Sequence, residues 1–450
     1  MDAMNDTTQH INLQLGWPSP NLFPTQQLAN SANRVLLEKS LAQQALVYGP
    51  DPGHPSLRQA TAKWLNELYG LDTECCLPEY LFITNGASAG LSYLLSRFTE
   101  PSVTRMIWMV EPTYFLACPV FQQAGFHDRL RGVPEDEQGI DIEFLREQIA
   151  GVDAQTPKGS PSSDGQKKTL RKVYRHIIYA VPTFSNPSGG TMSLTRRTQL
   201  VKLAREVDAL IIADDVYDSL RWPNASASAG KKLPPPPLRL VDIDRRLPGQ
   251  LPWGNAVSNG SFSKIIAPGI RVGWIEGSEN TARDLCKLGA VVSGGCQGHF
   301  SSMIVGEMLQ SGLLQEYIMD TLIPTYQRRS ESMLESIKTH LSPLGIRVPS
   351  ASHDLVPNNS ERAVGGFFVY LKLPGDAKSA VDLARLALEK YNLRVATGSM
   401  MAVTGDPGSS SRAEVSFGNG LRLCWAWHEE SEIDAGIRRL AAAYTELQSG

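Results

Sequence analysis

The sequence predicts an α/β protein in which a mostly parallel sheet flanked by helices is followed by a smaller α+β unit. Three observations carry this. Between about residues 80 and 276, short apolar runs alternate with amphipathic stretches, the pattern left by strands that feed helices packed on a sheet. From residue 279 to 340 the pattern turns almost wholly helical, and beyond it strand-like and helix-like stretches alternate again. A length of 450 residues also exceeds what one hydrophobic core usually supports, so a second domain is expected.

Taken in order, the apolar runs 80–84, 106–110, 176–181, 210–213, 256–261 and 271–275 are the expected strands of the large sheet. Residues 87–98 carry apolar side chains at helical spacing, as do 194–207 just before the run DALIIADD. In the smaller unit, 366–373 and 421–425 read as strands and 380–391 as a helix. Three polar or proline-rich tracts, 151–168, 223–238 and 404–412, bury too little apolar surface to fold alone and read as surface insertions. No internal repeat is present.

Composition excludes several function classes. Lys and Arg number 43 against 46 Asp and Glu, a formal charge of −3, so the basic face of a nucleic-acid binder is not expected. The N-terminal MDAMNDTTQH has neither the basic start nor the apolar core of a secretory leader, and no apolar run approaches the ~20 residues needed to span a bilayer. A cytoplasmic protein with neither nucleic acid nor membrane as partner is expected. Cys75, Cys76, Cys118, Cys286, Cys296 and Cys424 form no C-x-x-C, which argues for reduced thiols and against a metal site. The C-terminal ELQSG carries no targeting or lipidation signal.

Chemistry concentrates in three segments. In GSFSKIIAPGIRVGW, residues 260–274, Lys264 follows an expected strand, with Ser261 and Ser263 before it and Arg271 after it. A nucleophilic amine needs desolvation or nearby positive charge, and a phosphate wants hydroxyls, backbone amides and an arginine fork; this stretch supplies both. An isolated lysine here would be read as a surface charge, so its company decides. In ALIIADDVYDSL, residues 209–220, a buried-looking strand ends in Asp214, Asp215 and Tyr217, at the end of the sheet where open α/β folds bind ligands. Metal ligation or a helix cap by Asp215 is the competing reading. In VPTFSNPSGGTMS, residues 181–193, Asn186-Pro187 and Gly189-Gly190 mark a turn after a strand.

In order and spacing these segments resemble the class I/II aminotransferases, the fold type I enzymes that use pyridoxal 5′-phosphate. The family's patterns read Asn-Pro-x-Gly, then Asp-x-x-Tyr, then Ser-x-Ser-Lys with an arginine a short distance on. LGWPSPNLFP near the N-terminus, YGPDPGHPSLR from Tyr48, TNGASAGL from Thr84, EPTYF from Glu111, GGFF from Gly365 and LRLCWA from Leu421 fit the same resemblance. It covers about residues 11–445, and APGIRVGW with LGWPSPNLFP is most similar to the fungal and bacterial 2-aminoadipate-type enzymes. The implied architecture is a large cofactor domain, 47–325, and a small domain built from both chain ends, 1–46 and 326–450.

The resemblance implies that Lys264 forms the Schiff base with pyridoxal phosphate and then moves the proton between substrate and cofactor carbons. It implies that Asp214 pairs with the ring nitrogen, that Tyr217 and Asn186 hydrogen-bond the ring's phenolic oxygen, and that Tyr114 stacks on the ring, a core aromatic being its plainer reading. Ser261, Ser263, Arg271 and the backbone amides of Ala87 and Ser88 would hold the phosphate. Tyr48 would reach the phosphate of a neighbouring subunit's cofactor, which implies a homodimer. Arg422 would grip the substrate α-carboxylate, with Gly16 and Asn186 also on the substrate side.

Two departures shape the expected specificity. The aspartate-type subfamily recognises a second carboxylate through an arginine of the partner subunit, whereas the corresponding SGGCQGHF holds Gln297 and His299 and no arginine, which argues against aspartate. Ser399-Met400-Met401 replaces a bulkier aromatic in a substrate-lining loop, so His299 and Met400 are candidate pocket residues beside their plainer reading as packing. The expected activity is ping-pong transfer from a 2-aminoadipate-like, long-chain or aromatic amino acid to a 2-oxo acid such as 2-oxoglutarate. A carbon–sulfur β-lyase on the same site is the alternative. A regulator that fuses this domain behind a helix-turn-helix is disfavoured, because the family's first motif begins by about residue 11.

Overall fold

Runs of β-branched and apolar residues define the strands in the computed structural model, which describes residues 9–72, 75–155, 171–223, 235–349, 363–375 and 379–449. In chain order they are β1 (Ile11–Asn12), β2 (Leu81–Thr84), β3 (Met106–Glu111), β4 (Leu130–Asp136), β5 (Gly139–Ile140), β6 (His176–Ala180), β7 (Ala209–Asp214) and β8 (Arg221–Pro223). There follow β9 (Ala256–Ser261), β10 (Gly273–Glu276), β11 (Ala363–Gly365), β12 (Phe368–Lys372), β13 (Leu393–Arg394), β14 (Ala396–Thr397) and β15 (Gly420–Cys424).

Eight strands form one sheet in the order β2-β10-β9-β7-β6-β3-β4-β5. The run from β9 to β4 is parallel, and β2, β10 and β5 pair antiparallel at the edges. Both faces of β6 and β7 are covered, so HIIYA and ALIIA are apolar without alternation, as buried parallel strands require. Phe82, Leu94, Ile177 and Ile212 lie in the core on one face, and Trp108, Ile178, Leu200 and Ile211 in that on the other. A three-stranded sheet, β12-β15-β14, packs with the long helices Ile323–His340 and Glu430–Ser449. The expected strands and the helices Ala87–Phe98 and Ala380–Tyr391 are all present, with ends moved by a residue or two. Among the described residues no helix is long and apolar enough to cross a membrane, and no cluster of side chains suits a metal ion.

One expectation is corrected. The tract 404–412 is no loose insertion: Pro407–Val415 is a helix, capped by Asp406, whose side chain accepts a hydrogen bond from the Gly408 amide. Its polar residues are anchored inward. Ser409 and Arg412 both donate to the carboxylate of Glu111, which is buried at the end of β3, and Arg412 also donates to the Gly132 carbonyl at 2.9 Å. The first residues of the tract 151–168 likewise complete the helix Ile142–Ala154. The remainder of that tract, and most of 223–238, lies outside the described residues.

Candidate active site

The crevice at the carboxyl ends of β6, β7 and β9 meets the N-terminal segment and the β12-β15-β14 sheet around a cavity of about 420 Å³. Its walls include Gly16, Ala87, Ser88, Tyr114, Asn186, Asp214, Tyr217, Ser261, Ser263, Lys264, Arg271 and Arg422. The three chemistry-bearing segments, dispersed in sequence, thus converge on one space, at the position where open α/β sheets take their ligands.

Lys264 is aimed by a tight turn. Ser261 ends β9 and caps the 3-10 turn Phe262–Lys264, its hydroxyl accepting from the Ser263 amide at 3.1 Å. The Lys264 ammonium then reaches across the cavity and donates to the Gly16 carbonyl at 2.8 Å. Enclosure by protein lowers its pKa to about 8; Cys424 and Asp214 oppose the shift, and Arg422 adds to it. At pH 7 about a tenth of it is therefore free amine, against well under a thousandth for an ordinary lysine.

Asp214 lies at the end of β7. Tyr179 donates to its Oδ2 at 2.7 Å, whereas Oδ1 is buried without a hydrogen-bond partner. Burial lifts the carboxyl to about 6, with the Tyr179 bond and the Lys264 charge pulling the other way. Tyr217 is buried beside it, ring against Phe367 and Phe368, and burial with the nearby Asp214 drives its phenol well above the usual range. Tyr114 is half-buried and shifted upward by the same two causes.

At the other end, the helix Ala87–Phe98 presents its first amides to the cavity, and Arg271 stands beside them. Its guanidinium donates to Ser263 Oγ at 3.2 Å and to the Asn85 carbonyl at 2.8 Å, and Ser261 and Ser263 are bonded to each other at 2.8 Å. Gly86 makes this approach possible: its φ of +88° suits glycine, and a Cβ there would lie 2.6 Å from Arg271 Nη2. Hydroxyls, a guanidinium and a helix N-terminus together form an anion cradle.

Arg422, on β15, is held between Asn186 and the N-terminal segment. It donates to Asn186 Oδ1 at 2.7 Å and to the Gln14 carbonyl at 2.6 Å, and it lies 4.3 Å from the Phe368 ring centroid. Its Nε is buried and unpartnered. Gly16 abuts the same ring so closely that a Cβ would come within 2.7 Å of it.

Three candidates fall outside this cavity. Tyr48 is 86% exposed and Met400 40% exposed, and neither lines it. His299 is not a wall of this chain's pocket: its ring packs against Gly49 and Nε2 bonds to the Gln44 carbonyl at 2.8 Å. Conversely, sequence reasoning passed over Tyr179, Asn259, Gln14, Trp17 and Arg394, all of which line the cavity. Tyr179 had a signal, a polar-tipped residue in the apolar run HIIYA. Its pairing with Ile212 puts it on the face that carries Asp214. Asn259 donates to the Ala87 carbonyl at 2.9 Å and fixes the helix end over β9.

The family model described as aminotransferase class I and II matches residues 11–440. An aromatic-amino-acid aminotransferase of Thermococcus litoralis is 29% identical, the match covering 98% of this chain and 89% of that one. A 2-aminoadipate transaminase of Thermus thermophilus is 26% identical over 95% of this chain and 88% of its own. Among solved structures, a multiple substrate aminotransferase from Thermococcus profundus superposes with a TM-score of 0.74 at 26% identity, covering 99% of this chain and 93% of that chain.

Proposed function

The chain belongs to the class I and II aminotransferases and is a pyridoxal-phosphate-dependent transaminase; on that premise we propose that it moves the amino group of a 2-aminoadipate-like, long-chain or aromatic amino acid to a 2-oxo acid such as 2-oxoglutarate. The relatives named for 2-aminoadipate and aromatic amino acids support this donor range. The observation that carries the reading is the convergence of Lys264, Asp214 and Arg422 on one cavity. Donor and acceptor would occupy that cavity in turn, which is ping-pong transfer.

The residues present fit the cofactor. The unpartnered Oδ1 of Asp214 is an acceptor awaiting a donor, and the ring nitrogen of pyridoxal phosphate is one. The cradle of Arg271, Ser261, Ser263 and the amides of Ala87 and Ser88 offers a guanidinium, two hydroxyls and helix N-terminal N–H groups, the donors a phosphate calls for. When bound, the cofactor supplies an electrophilic carbon for the substrate amine and a ring that accepts electrons. Tyr217 and Asn186 bring hydrogen-bonding groups for the ring's phenolic oxygen, and Tyr114 an aromatic face. Lys264, with its lowered pKa, would take the proton from the substrate α-carbon as general base and hold it for return as general acid. Arg422 orients the substrate by its α-carboxylate, and Gly16 lies on the same side.

A homodimer is part of the proposal. Leu37, Leu46, Val47 and Tyr48 are 64% to 86% exposed, and nearby Val292 is 66% exposed, an apolar display that suits an interface with a second copy. In that arrangement Tyr48 serves the neighbouring cofactor's phosphate.

The test is an absorbance scan of the purified protein with single amino acids and no 2-oxo acid, beside Lys264→Ala. Conversion of the visible cofactor band to the pyridoxamine form with 2-aminoadipate or aromatic donors, absent in the variant, is expected. Catalytic release of pyruvate, ammonia and a thiol from a cysteine conjugate without an acceptor would replace this reading by β-elimination.

A further inference from the structure

Four cationic side chains line the cavity, Lys264, Arg271, Arg394 and Arg422, against one carboxylate, Asp214. The proposed chemistry occupies three of them: Lys264 with the proton, Arg271 with the cofactor phosphate and Arg422 with the substrate α-carboxylate. Arg394 has no task in that scheme. Its side chain is exposed to the cavity and has no hydrogen-bond or ion-pair partner among the described residues.

The local fold sets Arg394 at a defined place relative to Arg422. β1 pairs in parallel with β13, Asn12 opposite Arg394, and the Leu13 amide donates to the Arg394 carbonyl at 2.9 Å. On its other side the N-terminal segment accepts from the Cys424 amide, Leu13 carbonyl to Cys424 nitrogen at 2.8 Å, and its Gln14 carbonyl takes a hydrogen bond from Arg422. Arg394 and the Arg422 strand thus flank one intervening strand, a separation on the order of 10 Å between their backbones. Two arginines whose backbones lie that close and whose side chains line the same cavity suit a substrate bearing a carboxylate at each end.

We infer that Arg394 receives a second, distal carboxylate of the substrate, so that the preferred reactants are an ω-carboxylated amino acid and a 2-oxo diacid. This deepens the aminotransferase reading and rests on it for the placement of the α-carboxylate at Arg422. It also answers the lack of an arginine at 293–300, where Gln297 and His299 stand outside the cavity. The second carboxylate is met from the N-terminal side of the pocket, by the same chain.

The experiment is a binding titration of the cofactor-loaded enzyme, read by cofactor absorbance, with glutarate and adipate against pentanoate and hexanoate, the monoacids of equal carbon number. The wild-type protein is expected to prefer each diacid over the matched monoacid about ten- to hundredfold. Arg394→Gln should collapse that ratio towards one, and Arg394→Lys, which keeps the charge without the fork, should retain part of it. A diacid preference that survives in Arg394→Gln, or a wild-type protein without one, would overturn the inference. The titration needs no turnover, so a failure of transamination leaves it readable.

Discussion

The hydroxyl of Tyr179 donates to Oδ2 of Asp214 at 2.7 Å, leaving Oδ1 as the carboxylate oxygen without a partner. One neighbour on the adjacent strand thereby chooses which oxygen is left for the ring nitrogen that the site is proposed to hold. The same bond favours the ionised carboxylate, which burial alone would push further above about 6. Tyr179→Phe is expected to raise the Asp214 pKa and to cost about 1–3 kcal/mol of stability, because a buried acceptor loses its donor. The cofactor affinity of the variant should begin to fall at a higher pH than that of the wild type, whose own decline is centred near 6; superimposable pH profiles from equilibrium binding would refute this.

Lys264 sets a second pH dependence. Its folded value near 8 lies below the ordinary 10.5, so across that window the unfolded chain binds more protons than the folded apoenzyme. Apoenzyme stability attributable to this group therefore rises with pH from about 8 to 10.5. The rate at which apoenzyme captures pyridoxal phosphate should climb with pH to a midpoint near 8 and then level. Stopped-flow absorbance gives the midpoint, and a value near 10 would contradict the burial argument.

Gly86→Ala tests the anion cradle. The substitution forces a Cβ onto a φ of +88° and to within 2.6 Å of Arg271 Nη2. Displacement of the guanidinium should weaken pyridoxal phosphate about ten- to hundredfold while pyridoxal, lacking the phosphate, loses far less. Equal losses for both ligands in parallel titrations would show that the cradle is not what moved.

Arg412→Met tests the inward anchoring of the helix Pro407–Val415. Glu111 is 2% exposed, and its ion pair with Arg412 spans from β3 to that helix. Removing the cation leaves a buried carboxylate without its counter-charge, at a cost of about 3–5 kcal/mol. Urea unfolding should show that loss, and Glu111→Gln combined with Arg412→Met should recover part of it. A loss below about 1 kcal/mol would place the pair with ordinary surface bridges.

Much of this was legible in the chain. Apolar runs such as ALIIA sufficed to locate the sheet, since parallel strands buried on both faces leave little room for other residues. Lys264, Asp214, Asn186, Arg271 and Arg422 stood in recognisable patterns, and the structure brings them to one cavity. The helix Pro407–Val415 was not legible, because PGSSSRAEV is polar and its stability comes from a cap and from partners on a distant strand. Tyr179 reads as core within HIIYA until the register with β7 is known. Arg394 stands in no motif, and its place beside the pocket follows from the pairing of β13 with β1 and of the adjoining β14 with β15.

The hydrogen bond from Arg422 to the Gln14 carbonyl joins residues 408 positions apart. Synthesis proceeds from the N-terminus, so a growing chain exposes Lys264 and Asp214 long before the strand that carries Arg422 exists. During that interval the N-terminal segment has nothing to pair with on its Cys424 side, and the anion cradle stands beside an unfinished wall. The site's wall therefore closes only once β15 has been made, and a nascent chain released just short of it would carry the large sheet's share of the cavity without the guanidinium of Arg422.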